Sequence, residues 1–569
     1  MKRFSPSVAS AASKHPKTLS KKFDYGTAGF RDKAENLDSV MFRMGLLAVL
    51  RAKSTKGEVG VVVTASHNPI QDNGVKLIDP MGEMLTMEWE SYARDLANTT
   101  DELLIDELSK IVEREGIDLD FDSPSIPIGM DTRPSSPKLS EAIQDGIKAL
   151  HGKYTDLGTK IIILLFFGGV VKNFLGHMTT PQVHFIVRCL NTNGLYGEPS
   201  ERGYFMKLVT AFYNLNQSSS SENASLYVDG ANGVGAHKIP ILLRCLEELK
   251  TANQQCSFDV IVCNDGREGK LNENCGADYV KTNQCPPQGI VMKQGKRYCS
   301  FDGDADRIIF FYQGKQSCRV LDGDRIACLL SDYVHEMLTL LKIEGLSVAA
   351  IMTGYSNGNA INYLKGKDIR VEIVPTGVKH LKKKCEEFDV AIAFEANGHG
   401  NMVVKEDVRR KIEKIAKERD GNKAEAAEIV KNLIDLTNQT VGDAISNMLL
   451  VETILRKKNW TFDEWAQCYV DLPSKQVKVK VADRGMVKTT WNEQRVTDPL
   501  VLQKKIDELV EKHPNSRAFV RPSGTEDVVR VYAEAETREI ADWLARQVEI
   551  NVYELAHGEG EKPCPLHVI

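Results

Sequence analysis

Short apolar runs alternate with longer amphipathic stretches along most of this chain. Residues 59–63, VGVVV, are continuous and β-branched, which fits a strand buried on both faces. They lead into a polar loop, TASHNPIQDNG, that carries Pro69 and Gly74. Residues 225–236, SLYVDGANGVGA, predict a strand, a glycine turn and a helix. Residues 389–394, DVAIAF, predict a strand ending at EANGHG, and residues 517–535, RAFVRPSGTEDVVRVYAEA, predict two strands joined by a loop. Between 405 and 436, charges recur around Ile412, Ile415, Ile429, Leu433 and Leu436, the pattern of a long helical region with one face on a core. Strands alternating with helices argue an α/β chain. A polar, glycine-bearing loop follows several of the strands, and open α/β sheets bind ligands at such carboxyl ends.

Length and charge refine this picture. A chain of 569 residues exceeds one core and predicts three to five domains. Its net charge of −5, from 73 basic and 78 acidic residues, gives no broad cationic field for nucleic acid, although a local phosphate site would be hidden in that balance. The twelve cysteines contain no CxxC pair, which argues against a zinc ribbon. With no secretory leader they read as reduced thiols in a cytoplasmic protein. Residues 1–22 are rich in Ser and Lys, lack acids and show no clear amphipathic face, so a disordered tail is expected rather than a transit peptide. The apolar run at 161–171 has lysines on both sides and is too short to cross a bilayer, which takes about 20 residues as a helix. A buried strand pair is the plain reading of it, and no membrane role is expected.

Four loops carry candidate chemistry. In FDGDADR, residues 301–307, three aspartates occupy alternate positions. In an extended segment Asp302, Asp304 and Asp306 would share one side, where three carboxylates repel unless a cation lies among them. Hard oxygen ligands suit Mg²⁺ or Ca²⁺, and an EF-hand fails because Arg307 and Gln313 stand where that loop needs Gly and Glu. A solvated Asp/Gly turn is the alternative. In TASHNP, residues 64–69, Ser66 stands at the mouth of a buried strand as a nucleophile or merely a helix cap; no G-x-S-x-G elbow is present. In EANGHG, residues 395–400, Glu395, Asn397 and His399 offer a carboxylate, an amide and an imidazole to a polyhydroxylated ligand, or form a polar turn. In RPSGTE, residues 521–526, Arg521, Ser523, Gly524 and Thr525, with Arg530 downstream, match a phosphate, or form an exposed turn.

In this order the four loops resemble the α-D-phosphohexomutase superfamily from about residue 25 to residue 535, and GTAGFR, residues 26–31, is similar to its opening signature. The resemblance implies three similar mixed-sheet α/β domains and a smaller C-terminal α+β domain around a central cleft. The bounds expected are 23–195 with the phosphoserine loop, 196–318 with the metal loop, 319–445 with the sugar-binding loop and 446–569 with the phosphate-binding loop. The EANGHG loop, and GMDTRPSS at 129–136 following the serine loop, are similar to the branch of the superfamily acting on N-acetylglucosamine phosphates. That branch implies reversible conversion of N-acetylglucosamine 6-phosphate to the 1-phosphate, in UDP-N-acetylglucosamine biosynthesis. The route would run through a phosphoserine enzyme and a sugar 1,6-bisphosphate.

The resemblance further implies one Mg²⁺ on Ser66, Asp302, Asp304 and Asp306, and a sugar 1,6-bisphosphate as activator. It implies catalytic roles for Ser66, Lys76, His399 and Arg31. Substrate contacts would come from Lys379, Glu395, Ala396, Asn397, Arg521, Pro522, Ser523, Gly524, Thr525, Arg530 and Arg307. Small sugar phosphates are the expected partners of a monomer that binds neither nucleic acid nor membrane. The family's chain runs from DLG almost directly into TTPQ, whereas residues 159–176 stand between them here as a suspect insertion. A silent sugar-phosphate sensor and a mutase preferring glucose or mannose phosphates are the alternatives. An aspartyl phosphatase is a further rival, but its DxDx[TV] motif is broken by Arg307.

Overall fold

The computed structural model describes residues 4–26, 29–157, 177–217, 225–250, 256–418, 421–523 and 527–566. The suspect insertion at 159–176, and the phosphate-loop candidates Gly524 and Thr525, lie outside them. The chain divides into two compact units: one comprises residues up to 322 with 399–401 and 431–457, the other comprises 323–398, 402–430 and the residues from 458 onward.

The first unit carries two five-stranded mixed sheets. One has the order Phe30–Lys33, Asp72–Ile78, Gly60–Val63, Ser125–Met130, Lys153–Asp156. The run VGVVV forms its central strand, Gly60–Val63, which is wholly buried and pairs antiparallel to Asp72–Ile78 and parallel to Ser125–Met130. The other sheet has the order Cys318–Leu321, Ile308–Gln313, Arg297–Phe301, Leu226–Asp229, Val260–Cys263. The expected strand, turn and helix at 225–236 appear as Leu226–Asp229 and helix Val234–Leu249. Strand Cys318–Leu321 pairs with Ile308–Gln313, so this sheet continues past residue 318.

The disordered tail expected over 1–22 is corrected for residues 4–22. Helix Ser5–Ala12 has Phe4, Val8 and Ala12 buried in the core of the first sheet. These residues recur every fourth position, and Pro6 falls in the first turn, where a missing N–H is harmless. Ser7 Oγ donates to the Ala149 carbonyl at 2.7 Å, and His15 Nδ1 lies 2.9 Å from Asp38 Oδ2. An apolar stripe of three residues is easily lost in a Ser- and Lys-rich composition.

Helix Ala444–Lys458 is buried from Ala444 to Leu455 and runs through the expected junction at 445/446. No Gly or Pro interrupts it. Asp443 fixes its start by accepting from the Ile445 and Ser446 amides at 3.1 and 3.0 Å.

In the second unit, Arg370–Val374, Val348–Thr353 and Val390–Phe394 are parallel neighbours in one sheet. The helical region at 405–436 is two helices, Glu406–Lys417 and Gly421–Leu436. Ile412, Leu433 and Leu436 are buried, whereas Ile415 and Ile429 are half-buried. The C-terminal part is an antiparallel sheet, Ser474–Lys480, Val528–Glu534, Arg517–Pro522, with helices Leu500–Val510 and Arg538–Leu555. Its core includes Val520, Val529, Val531, Leu544 and Val548. Among the described residues no helix is long and apolar enough to cross a membrane. All twelve cysteines are free.

Candidate active site

Strand Gly60–Val63 delivers the chain into the serine loop, and Ser66 adopts a left-handed backbone with φ of 51°. The residue is fully buried, and its Oγ donates to Asp302 Oδ2 at 2.7 Å. The acidic loop lies between antiparallel strands Arg297–Phe301 and Ile308–Gln313. The expected strand alternation is corrected: residues 302–306 form a turn, with Ala305 at φ of 58°. The turn still converges the trio, since one carboxylate oxygen from each of Asp302, Asp304 and Asp306 lies within 4.8 Å of the others. All three are buried. The two loops meet at Gly303, where a Cβ would fall 2.6 Å from the Ser66 carbonyl oxygen. Only glycine permits that approach.

The donors fit a hard divalent cation. They are carboxylate oxygens, and Asp304 Oδ1 is buried with no hydrogen-bond partner among the described residues. Burial, reinforced by Asp306 and Asp304, pushes the Asp302 carboxyl well above its ordinary range. Burial also opposes ionisation of Asp306, but Lys76, His399 and Arg307 outweigh it and hold that carboxyl well below the ordinary range. A cation among three carboxylates crowded in low dielectric would relieve the repulsion that helps raise Asp302.

Cations surround the trio. Lys76, on strand Asp72–Ile78, places Nζ 2.8 Å from Asp304 Oδ2 and 3.0 Å from Asp306 Oδ2. Burial disfavours its charge, but Asp304 and Asp306 outweigh that and raise its pKa above the usual lysine value. Arg307 Nε lies 3.8 Å from Asp306 Oδ1 and 4.0 Å from Asp302 Oδ2. Arg31, on strand Phe30–Lys33, lies in the field of Arg307 and the three aspartates. His399 Nδ1 lies 3.6 Å from Asp306 Oδ1, and residues 307 and 399 form a short antiparallel bridge. Burial and the cations Arg307 and Arg31 push the pKa of His67 down to about 2. Lys76, Arg307 and Arg31 bring three positive side chains to the trio, and a divalent cation would offset the charge of a phosphate dianion.

The remaining candidates belong to the second unit. Glu395, at the end of strand Val390–Phe394, is buried and accepts from the Gly377 amide at 3.2 Å and from Asn397 Nδ2 at 3.3 Å. The first bond ties the loop holding Glu395, Ala396 and Asn397 to the start of helix Val378–Cys385, where Lys379 stands half-buried. Arg521 and Arg530 are directly paired across strands Arg517–Pro522 and Val528–Glu534. Pro522 ends the first of these, and the Ser523 amide donates to the Val528 carbonyl at 2.9 Å. Arg521 Nη1 donates to Glu493 Oε2 at 3.2 Å.

Residues 199–309 and 322–460 match the families described as "Phosphoacetylglucosamine mutase AMG1, domain II" and "domain III". Residues 46–104 and 477–550 match domain I and the C-terminal domain of the phosphoglucomutase/phosphomannomutase families. Phosphoacetylglucosamine mutase of Sus scrofa is 48% identical over 546 residues, 95% of this chain and 96% of that protein. The chain belongs to the phosphoacetylglucosamine mutase family. The crystal structure of Aspergillus fumigatus N-acetylphosphoglucosamine mutase in complex with GlcNAc-6P and magnesium is similar to it at a TM-score of 0.88. That match has 40% identity and covers 97% of this chain and 99% of the other. A serine-to-alanine variant of the Aspergillus enzyme, in complex with glucose 1,6-bisphosphate, matches at a TM-score of 0.86 with 39% identity and the same coverage.

Sequence reasoning passed over several residues that shape the serine loop of this mutase family member. Arg133, fully buried, donates through Nη2 to the carbonyls of Ser66 and Asn68 at 3.0 and 2.9 Å. Its Nη1 donates to the Pro69 and Asp72 carbonyls, and its Nε to Asp131 Oδ2 at 2.9 Å. Asn272 Nδ2 donates to the same Ser66 and Asn68 carbonyls at 2.8 and 3.0 Å. Arg133 lies in the motif GMDTRPSS, where Asp and Arg two apart on a turn were the available signal. Asn272 lies in no motif, and nothing local marks it.

Proposed function

We propose that this chain interconverts N-acetylglucosamine 6-phosphate and N-acetylglucosamine 1-phosphate through phosphorylated Ser66 and a sugar 1,6-bisphosphate, as a step toward UDP-N-acetylglucosamine. The observation that carries this reading is the 2.7 Å contact between Ser66 Oγ and Asp302 Oδ2 within a buried acidic trio. Phosphoryl transfer needs positioning and charge neutralisation more than covalent chemistry. Ser66, Asp302, Asp304 and Asp306 would hold Mg²⁺, which when bound neutralises charge on the phosphoryl oxygens. Ser66 Oγ accepts and returns the phosphoryl group. Arg31 and Arg307 offset the negative charge of that group. Lys76, held protonated by two aspartates, carries its proton at Nζ and serves as a cation and acid rather than a resting base. His399 is the group proposed to move a proton at its imidazole.

In the same reading, Glu395, Ala396, Asn397 and Lys379 bind the sugar. Arg521, Pro522, Ser523, Gly524, Thr525 and Arg530 bind the phosphate that does not react, and the sugar 1,6-bisphosphate primes Ser66. We further propose four domains close to the expected ones, with the second extended to include strand Cys318–Leu321 and the third extended through helix Ala444–Lys458, a monomer, and a cytoplasmic location. The silent-sensor alternative is not favoured, because nucleophile, acidic trio and lysine are all in place. A coupled assay of the 6-phosphates of N-acetylglucosamine, glucose and mannose, with and without Mg²⁺ and a trace of bisphosphate, tests the reading. Mg²⁺-dependent turnover strongest on N-acetylglucosamine 6-phosphate is expected; no isomerisation of any of the three defeats it.

A further inference from the structure

Ser66 pays for its orientation with an unfavourable backbone. A left-handed conformation is strained for a residue with a Cβ, and such strain persists only where the surroundings fix it. Here the surroundings act first on the Ser66 carbonyl oxygen. It accepts from Arg133 Nη2 at 3.0 Å and from Asn272 Nδ2 at 2.8 Å. A Cβ on Gly303 would meet that same oxygen at 2.6 Å and Asn272 Nδ2 at 3.0 Å, so the oxygen is boxed in from a third side. Each donor also grips the Asn68 carbonyl, two residues on. On the other flank the Ser66 amide donates to Thr64 Oγ1 at 2.9 Å, Thr64 Oγ1 donates to Asp131 Oδ2 at 2.7 Å, and Asp131 receives Arg133 Nε. Both ends of the Ser66 peptide are therefore tied into one network of side chains.

The two donors come from different sheets. Arg133 follows strand Ser125–Met130 of the first sheet. Asn272 follows Val260–Cys263 in chain order, and its own amide donates to the Ala231 carbonyl beyond strand Leu226–Asp229 of the second sheet. The second sheet also carries the acidic loop. Asn272 thus links the serine loop to the structure that holds the aspartates.

We propose that Arg133 and Asn272 are positioning residues that lock the Ser66 carbonyl, and so aim Ser66 Oγ at the acidic trio throughout the phosphoryl transfer. The inference rests on the proposed mutase reading. It assigns to two side chains that touch no reacting atom a role in kcat rather than in substrate affinity.

The test compares wild type, Asn272→Ala and Arg133→Ala with N-acetylglucosamine 6-phosphate, Mg²⁺ and trace bisphosphate. Misplacing a reacting group by an ångström costs about 100-fold in rate. Asn272→Ala should lower kcat by about 10- to 100-fold and leave KM and the Mg²⁺ Kd within about two-fold of wild type. Intact-mass measurement should show slower transfer of phosphate from bisphosphate to Ser66. Arg133→Ala should lose more, and added guanidinium at millimolar concentration should restore part of it. Should Arg133→Ala fail to fold, Asn272→Ala decides alone, since Asn272 is half-buried. A kcat for Asn272→Ala within about two-fold of wild type, or a loss wholly in KM, overturns the positioning role. A wild type without turnover defeats the mutase reading instead, and the inference with it.

Discussion

In the proposed mutase reading, the surroundings of Ser66 and those of Arg521 would handle the same kind of group by opposite means. At Ser66 the energy is stored in the backbone: Ser66 and Ala305 are both left-handed, and the serine is fully buried. At Arg521 the backbone is an ordinary antiparallel strand pair, and the unfavourable element is charge. Arg521 stands directly opposite Arg530, and like charges in that relation destabilise a sheet. Both residues are half-buried, and Glu493 offsets Arg521 from one side. A transferring group needs a fixed direction, which strain and close packing supply. A holding site needs positive charge, and repulsion between two guanidiniums is relieved when an anion arrives. The second arrangement tolerates variation in the ligand, which suits a sugar that must present either end.

The most severe way to break this comparison is Ser66→Ala. It removes the atom proposed to carry the phosphoryl group, and isomerisation should fall by at least about 10⁴-fold in the coupled assay. Calorimetric binding of N-acetylglucosamine 6-phosphate should persist. Turnover equal to wild type would end the phosphoserine mechanism.

Gly303→Ala tests orientation without touching chemistry. The new methyl carbon would sit 2.6 Å from the Ser66 carbonyl oxygen, where both loops are backbone and neither yields easily. A fall of about 100-fold in kcat with little change in KM is expected from steady-state kinetics. Arg521→Ala should behave in the other sense. Losing hydrogen bonds to a charged group costs about 1.5–3 kcal/mol, or roughly 10- to 100-fold in kcat/KM, carried mainly by KM. If Gly303→Ala raised KM alone, or Arg521→Ala lowered kcat alone, the division between an aiming region and a holding region would collapse.

Much of this contrast was legible along the chain, for stated physical reasons. VGVVV and DVAIAF are buried strands because their runs are short, apolar and β-branched, and Ser66 and Glu395 follow at their carboxyl ends. The aspartate trio was legible as chemistry but not as geometry. Side-chain alternation pointed to convergence, yet a turn through a left-handed Ala305 achieves it, and φ at an alanine leaves no mark in sequence. Arg133 and Asn272 were not legible as partners of Ser66 because the pairing spans 67 and 206 residues. Helix Ser5–Ala12 was hidden by composition, since few residues, Phe4, Val8 and Ala12 fully and Ala11 in part, face the core. The cross-strand pairing of Arg521 with Arg530 depends on a hairpin register that the loop composition alone does not fix.

The smallest effect separates the two regions by pH. Burial and its acidic neighbours raise the folded-state pKa of Asp302 above its unfolded value. Its contribution to stability is therefore present below the ordinary carboxylate range and is lost as pH rises through the higher folded value. Asp306 runs the other way: Lys76, His399 and Arg307 hold its pKa down against burial, so it stays ionised as Asp302 titrates. Mg²⁺ held by the ionised trio, as proposed, would compete with the Asp302 proton. At about 100 times its Kd a ligand of the native state adds about 2.7 kcal/mol, so the rise in Tm on adding Mg²⁺ is measurable by thermal shift. That rise should grow with pH across the interval between the ordinary and the raised Asp302 value. Guanidiniums carry their charge throughout, so inorganic sulfate, whose charge is constant in that interval, should give a stabilisation nearly independent of pH. A Mg²⁺ shift as flat as the sulfate shift would mean that no proton is shared among Asp302, Asp304 and Asp306, and the contrast between strained aim and charged grip would lose its electrostatic half.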